Sequence, residues 1–346
     1  MNNAWSFRYL LSVIPAFLVV GGNMAGGWWA LAGAIFIAVL LMAGDQWLPE
    51  NTEPIPAMKR FFPDAILASH AFFQTAAVAS LLYGIYAGLL EGSELRWAVI
   101  STGINSGFAG MISAHEMIHR KETTWKKLGV WNLLTVNYAH FIIEHIQGHH
   151  RFVGTARDPA TARYGENVYF FFIRTVPQQF LSALKIEATR LRRNNQRPFG
   201  LANFVVRATL AEILIGLALY YFLGVRALVA FLLQSLIAVF LLEYVNYLEH
   251  YGLVREEGKK VNATHSWQSD FAMSRFALIE LSRHSDHHIT ASKPFHQLAS
   301  HAESPVLPTG YFGSFYLALI PPLWFYVIHK ALKKYRGKHL PSAAAP

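Results

Sequence analysis

Six stretches of about twenty apolar residues govern what this chain can fold into: Trp5 to Gly22, Gly26 to Gly44, Ala65 to Leu90, Leu95 to Ile118, Phe204 to Leu223 and Ala227 to Leu248. A helix of that length, rising about 1.5 Å per residue, crosses the roughly 30 Å of a bilayer's hydrocarbon. In lipid it also satisfies its own backbone hydrogen bonds, which an irregular segment cannot do. Composition agrees. Of 346 residues, 53% are hydrophobic and 15% charged, against about 25% charged in ordinary soluble chains. An all-α integral membrane protein with six transmembrane helices is expected. A water-soluble enzyme, a disordered chain and a coiled coil are excluded. The first run lacks the basic n-region and small-residue cleavage site of a secretory signal, so it reads as an anchor.

Connections alternate between short turns, near Gly22, Glu91 and Gly224, and long segments. Between Arg120 and Gly200 there are 13 Lys or Arg against 5 Asp or Glu, and between Tyr251 and Pro346 there are 11 against 6. Positive residues mark the cytoplasmic side, so both termini and every long connection are assigned there. Two broken apolar stretches, Leu128 to Ile143 and Phe312 to Ile328, read as buried or interfacial elements. The segment Val168 to Arg193 mixes Phe and Leu with five basic residues. It suits a helix lying on the membrane surface or the solvated face of a cytoplasmic helix. Residues 1–340 read as a single domain, and the Pro-Ser-Ala-Ala-Ala-Pro tail at 341–346 reads as the start of a linker.

The sixteen histidines are not scattered. Nine fall in four motifs: HEMIHR (His115, His119), EHIQGHH (His145, His149, His150), NYLEHYG (His250) and RHSDHH (His284, His287, His288). All lie at cytoplasmic span ends or in long connections, so folding can gather them beneath the bundle. His115 and His119, like His145 and His149, are four apart, which on a helix puts both imidazoles on one face, close enough for one ion. The doublets His149–His150 and His287–His288 diverge by about 100° on a helix, which fits two ions side by side. Nine imidazoles exceed the needs of one ion; four or five on each of two is the economical count. Each motif also carries a carboxylate, Glu116, Glu144, Glu249 or Asp286, placed to orient an imidazole or relay protons. His140 and His265 are candidates for supporting the site. There is no cysteine, which removes thiolate ligands and iron–sulfur clusters. Nitrogen-rich donation suits Zn, Cu, Ni or Fe, and composition does not choose among them.

The ordered set HEMIHRKET, NYAHFIIEHIQGHH, NYLEHYG and RHSDHH resembles the signature of the integral-membrane alkane 1-monooxygenases, within the superfamily of membrane di-iron desaturases and hydroxylases. The likeness runs from the second span to PTGY at Pro308 to Tyr311. Arg120 stands where the family more often has Lys, and Ser282 where it has Gln; neither change removes a histidine. The resemblance implies two non-haem iron ions with the nine motif histidines as ligands. It also implies O2 as co-substrate, and electrons from NADH through rubredoxin reductase and rubredoxin. The implied reaction is terminal hydroxylation of medium-chain n-alkanes drawn from membrane lipid.

The chain has no haem-attachment motif and no dinucleotide fingerprint, so its electrons require a partner protein. The basic surface would attract an acidic carrier, and the tail is a place where such a carrier could be tethered. No nucleic-acid partner is indicated. An alkane has no polar handle, so an apolar channel formed by spans two to four, with Ala38 and Gly107 among its wall residues, is expected to select chains by shape. A membrane desaturase, a xylene-type methyl hydroxylase and, outside the enzymes, a metal- or haem-binding transporter are the rival readings.

Overall fold

The computed structural model describes residues 3–339, so the tail at 341–346 lies outside the described residues. In chain order the helices are α1 (Trp5–Ala25), α2 (Gly27–Trp47), α3 (Phe61–Tyr86), α4 (92–119), α5 (Thr123–Leu134), α6 (141–152), α7 (Val168–Arg193), α8 (Phe204–His250), α9 (Ala272–Ala277), α10 (His284–Ile289), α11 (Tyr311–Leu319) and α12 (Pro321–His339). Among the described residues there are only two isolated β-bridges and no strand.

Four of these helices, α1, α2, α3 and α8, are long and apolar enough to cross a membrane. The sequence separates the last two runs at Gly224, and the structure joins them as the arms of α8, broken where Gly224 adopts φ 81° and ψ 177°. A Cβ at Gly216 would lie 3.6 Å from the Leu228 side chain, whereas a straight helix would separate those positions by about 18 Å. Gly224 therefore reverses the chain, in a conformation that a Cβ would oppose. The fourth run is helical throughout 92–119 but carries buried Ser101, Thr102, Asn105 and Ser106, which lower its apolarity.

The short turns share one end of the bundle. Arg226 beyond the Gly224 turn approaches Glu91 at 3.9 Å, and a Cβ on Gly26 would meet the Leu89 carbonyl at 3.1 Å. From that end α4 and the second arm of α8 run to their histidines at the other. Polar side chains tie the helices together where lipid supplies no competing partner. Gln74 on α3 donates to Ser106 and Thr135 at 2.9 Å each, and Ser106 donates to Gln234 on α8 at 3.0 Å.

Helix α7 packs on α6 and α8. It buries Phe171, Thr175, Gln179, Ala183, Glu187 and Leu191, four residues apart, and leaves Phe170 and Ile173 exposed. Its outward surface is apolar near the start and basic toward the end, where Lys185, Arg190, Arg192 and Arg193 are exposed. Leu128 to Ile143 and Phe312 to Ile328, the two broken apolar stretches, fold as helices broken by turns, the second continuing into the 19-residue α12, and pack on the core.

Candidate metal centre

Helix α4 ends on a regular turn, Ile112–His119, that carries His115 and His119 on one face. Helix α6 is different. It starts as an α-helix over Phe141–Glu144 and then winds as a π-helix over His145–His149. In π geometry the hydrogen bonds run from i to i+5, and the wider turn brings a residue five positions on back toward the same face. His145 accordingly meets His150, Nε2 to Nε2 at 3.1 Å, while His149 turns to a different neighbourhood. The expectation that His145 and His149 serve one ion is thus corrected, because their four-residue spacing falls in a segment that is not an α-helix. The winding is close: a Cβ at Gly148 would sit 2.5 Å from Glu144 Oε1. His250 is the last residue of α8, and the six-residue α10 supplies His284, His287 and His288.

All nine histidines converge, in two sets. His115, His119, His145, His150 and His287 form one; His149, His250, His284 and His288 form the other. Within each set one ligand atom per residue lies within 4.8 Å of the rest. Both adjacent doublets are divided between the sets, as two ions require. His150 Nε2 is 3.1 Å from both His145 Nε2 and His287 Nε2. Two nitrogens at right angles on an ion with bonds of about 2.1 Å stand about 3.0 Å apart. One ring nitrogen carries at most one proton, so hydrogen bonding among the rings cannot account for both contacts. His115 Nε2, His119 Nε2, His149 Nε2 and His250 Nε2 are buried without a hydrogen-bond partner, a cost that ligation would remove. The donor set fits metal ions.

Burial, reinforced by the neighbouring imidazoles, pushes His145, His150, His284, His287 and His288 well below the ordinary histidine range. They are therefore neutral, the form in which imidazole ligates. Two outer contacts fix ring orientation. Asp158 Oδ2 lies 2.9 Å from His149 Nδ1 and also accepts from Thr161 at 2.6 Å. His250 Nδ1 lies 3.2 Å from the His265 carbonyl. In both rings Nε2 is left to face the cluster. Burial alone would raise the Asp158 carboxyl. The His149 ring, with the bonds from His149 and Thr161, outweighs it and holds the group below the usual carboxylate range.

Of the four motif carboxylates, Glu249 alone approaches a cluster ring: its Oε2 is 3.1 Å from His284 Nε2, and Tyr311 donates to its Oε1 at 2.9 Å. Glu116 instead accepts from Arg120 at 2.7 Å and the Phe295 amide at 3.2 Å. Asp286 bonds Lys293, His301 and the Ala299 amide. Glu144 lies beside Gly148, and burial together with the Asp158 and Glu243 carboxylates raises its proton affinity well above the ordinary range. His265 supports the site through its carbonyl, whereas His140 packs against Tyr138 and Phe180 outside both sets. Asp158 was missed in the sequence. Its one local signal is the Asp-Pro turn, where Oδ1 accepts from the Ala160 amide at 3.0 Å.

A void of about 10 Å³ adjoins the five-membered set, lined by Ile112, Ile279, Leu281, Phe295 and Leu298 together with His115, Glu116 and His287. The roomier groove between Lys127, Trp131 and Phe204 is lined by none of the nine. Gly107, expected on a channel wall, is packed: a Cβ there would meet Leu241 at 2.7 Å. Ala38 is half-buried, and its carbonyl accepts from Tyr316 at 2.5 Å.

The fatty acid desaturase family model matches residues 94–330, which hold all nine histidines. Alkane 1-monooxygenase 1 of Pseudomonas aeruginosa is 39% identical over 70% of this chain and 64% of its own length. Alkane 1-monooxygenase 2 of the same organism is 33% identical over 97% of this chain and 95% of its own. The xylene/toluene monooxygenase hydroxylase component of Pseudomonas putida is 31% identical over 93% and 87%. Nine converging imidazoles, an apolar helical frame and these likenesses agree, and the chain belongs to the fatty acid desaturase family as a membrane oxidoreductase of its alkane 1-monooxygenase branch.

Proposed function

We propose that this protein converts medium-chain n-alkanes to 1-alkanols at two iron ions, one in each imidazole set. It would use O2 and two electrons carried by rubredoxin from an NADH-dependent reductase. The observation that carries the reading is the division of nine converging imidazoles into a five and a four at one end of an apolar bundle. The bound ions would supply the oxidising power for an unactivated C–H bond, which no acid or base side chain attacks. The chain's own residues do the rest. Asp158 and the His265 carbonyl hold ring orientation. Ile112, Leu281 and Phe295 would give the substrate end apolar contacts beside Glu116, His115 and His287.

The proposed topology has six crossings, counting α4 and both arms of α8, with the termini and the site on the cytoplasmic side of an inner membrane. Exposed Arg151 at the end of α6 and Arg157, Lys259 and Lys260 on the loops lie on segments tied together by Arg255, which bonds the Arg151 and Val153 carbonyls. They form a basic approach for an acidic carrier, whose turnover would fall as salt rises.

Metal analysis of detergent-purified protein is expected to give about two irons per chain, from the two-set count. His150→Ala is expected to deplete the five-membered set and His250→Ala the four-membered one. Assays with octane, toluene and an acyl thioester separate the readings. Oxidation of toluene in preference to octane would favour the methyl hydroxylase reading, which the 31% likeness to the xylene/toluene component also supports.

A further inference from the structure

Four described non-glycine residues adopt positive φ: Asn137, Asn195, Ile279 and Glu280. Asparagine tolerates that region, whereas a β-branched residue there is an outlier that the surroundings must enforce. Ile279 (φ 42°) and Glu280 (φ 60°) are consecutive, where α9 ends and the chain turns toward α10. The Glu280 amide donates back to the Arg275 carbonyl at 2.7 Å, a helix stop that ordinarily falls to glycine. What enforces the turn is visible. Glu280 is fully buried; Arg275 donates to both its oxygens at 2.8 and 2.9 Å, and Tyr9 from α1 donates to Oε1 at 2.9 Å. Arg283 stands 3.6 Å away. The Tyr9 ring packs edge-on against Phe295, centroids 5.1 Å apart.

The strained turn has a product: it sets the Ile279 side chain in the wall of the void beside His115 and His287. That void, at about 10 Å³, matches one water-sized group, hence a chain end and not a chain. We infer that Ile279 is the stop that presents only the terminal carbon of an apolar chain to the metal centre, and that Tyr9, Glu280 and Arg275 are positioning residues acting through it. The inference rests on the alkane-oxidising reading above and adds the group that selects position along the chain.

The test uses the full-length, iron-loaded protein with octane, comparing parent, Ile279→Gly, Ile279→Val and Tyr9→Phe. Glycine accepts the same backbone conformation and removes the wall. With iron content held at the parental level, the ratio of 2-octanol to 1-octanol is expected to rise about tenfold or more in Ile279→Gly, with smaller rises in Ile279→Val and Tyr9→Phe. A merely structural role would lower yield without moving this ratio. Unfolding midpoints of the metal-free proteins give an independent reading: Tyr9→Phe and Ile279→Gly are expected to be non-additive if the tyrosine holds the strained turn. An unchanged product ratio in variants that keep iron and turnover overturns the stop; additive midpoints overturn the clamp. Should Ile279→Gly fail to accumulate, Ile279→Val and Tyr9→Phe carry the same comparison. A parental protein that yields no octanol overturns the underlying reading instead, and is distinguishable because it fails before any variant is compared.

Discussion

Asp158 shows how much a single outer contact can do at this centre. Its carboxylate fixes which nitrogen of His149 faces the four-membered set. Replacing it with Asn keeps the shape but removes the charge. Asp158→Asn is expected to weaken metal binding about 10- to 100-fold, read by competition with a chelator. His296 gives a prediction on pH. Burial, aided by nearby Arg120, pushes it down to about 4. Between that value and about 6.5, the ordinary histidine range, the unfolded chain binds the proton and the folded one does not. Stability is therefore lost as pH falls through this window, by on the order of 1 to 3 kcal/mol from this residue. His296→Gln is expected to flatten the fall of the unfolding midpoint between pH 6.5 and 4, measured against the parent.

At the scale of elements, two departures from regular helix matter. The π turn at His145–His149 distributes one motif over two metal sets. The Gly224 break turns a 47-residue helix into a hairpin whose second arm delivers His250. A Cβ at Gly224 would be strained whatever the space around it, so Gly224→Ala is expected to cost about 1 to 3 kcal/mol. The check is a lower unfolding midpoint in detergent with iron content unchanged. The helical frame itself was legible because its apolar runs are long. The π turn was not, because nothing in EHIQGHH distinguishes a 3.6-residue repeat from a wider one until Glu144, Gly148 and the facing α7 are packed around it.

For the whole molecule, the centre is a clasp. Its ligands come from α4, α6, α8 and α10, elements far apart in the chain. Metal binding should therefore stabilise the fold as a unit, since ions that bind only the folded state shift the unfolding equilibrium. Chelation is expected to lower the unfolding midpoint and its restoration to follow added ferrous iron, monitored by tryptophan fluorescence. Sidedness can be read directly because the chain has no cysteine. Glu91→Cys, at the short-turn end, is expected to react with an impermeant thiol reagent from outside intact cells. Glu257→Cys is expected to react only after the cells are opened. Labelling of both from outside would sink the proposed topology.

Sequence alone determined the solvent this protein folds in and the chemistry it can host. Apolar length dictates helices in lipid, and nine histidines without a cysteine dictate nitrogen ligation. Tertiary structure alone decided how the imidazoles divide into two sets, which groups steady them and what stands beside them. His145 parted from His149, Asp158 and the His265 carbonyl took the orienting contacts, and Ile279 was forced into the wall. The physical reason is range. Hydrophobic length and donor type are local properties, whereas ligand partition, ring orientation and backbone strain depend on side chains that meet only when distant segments pack.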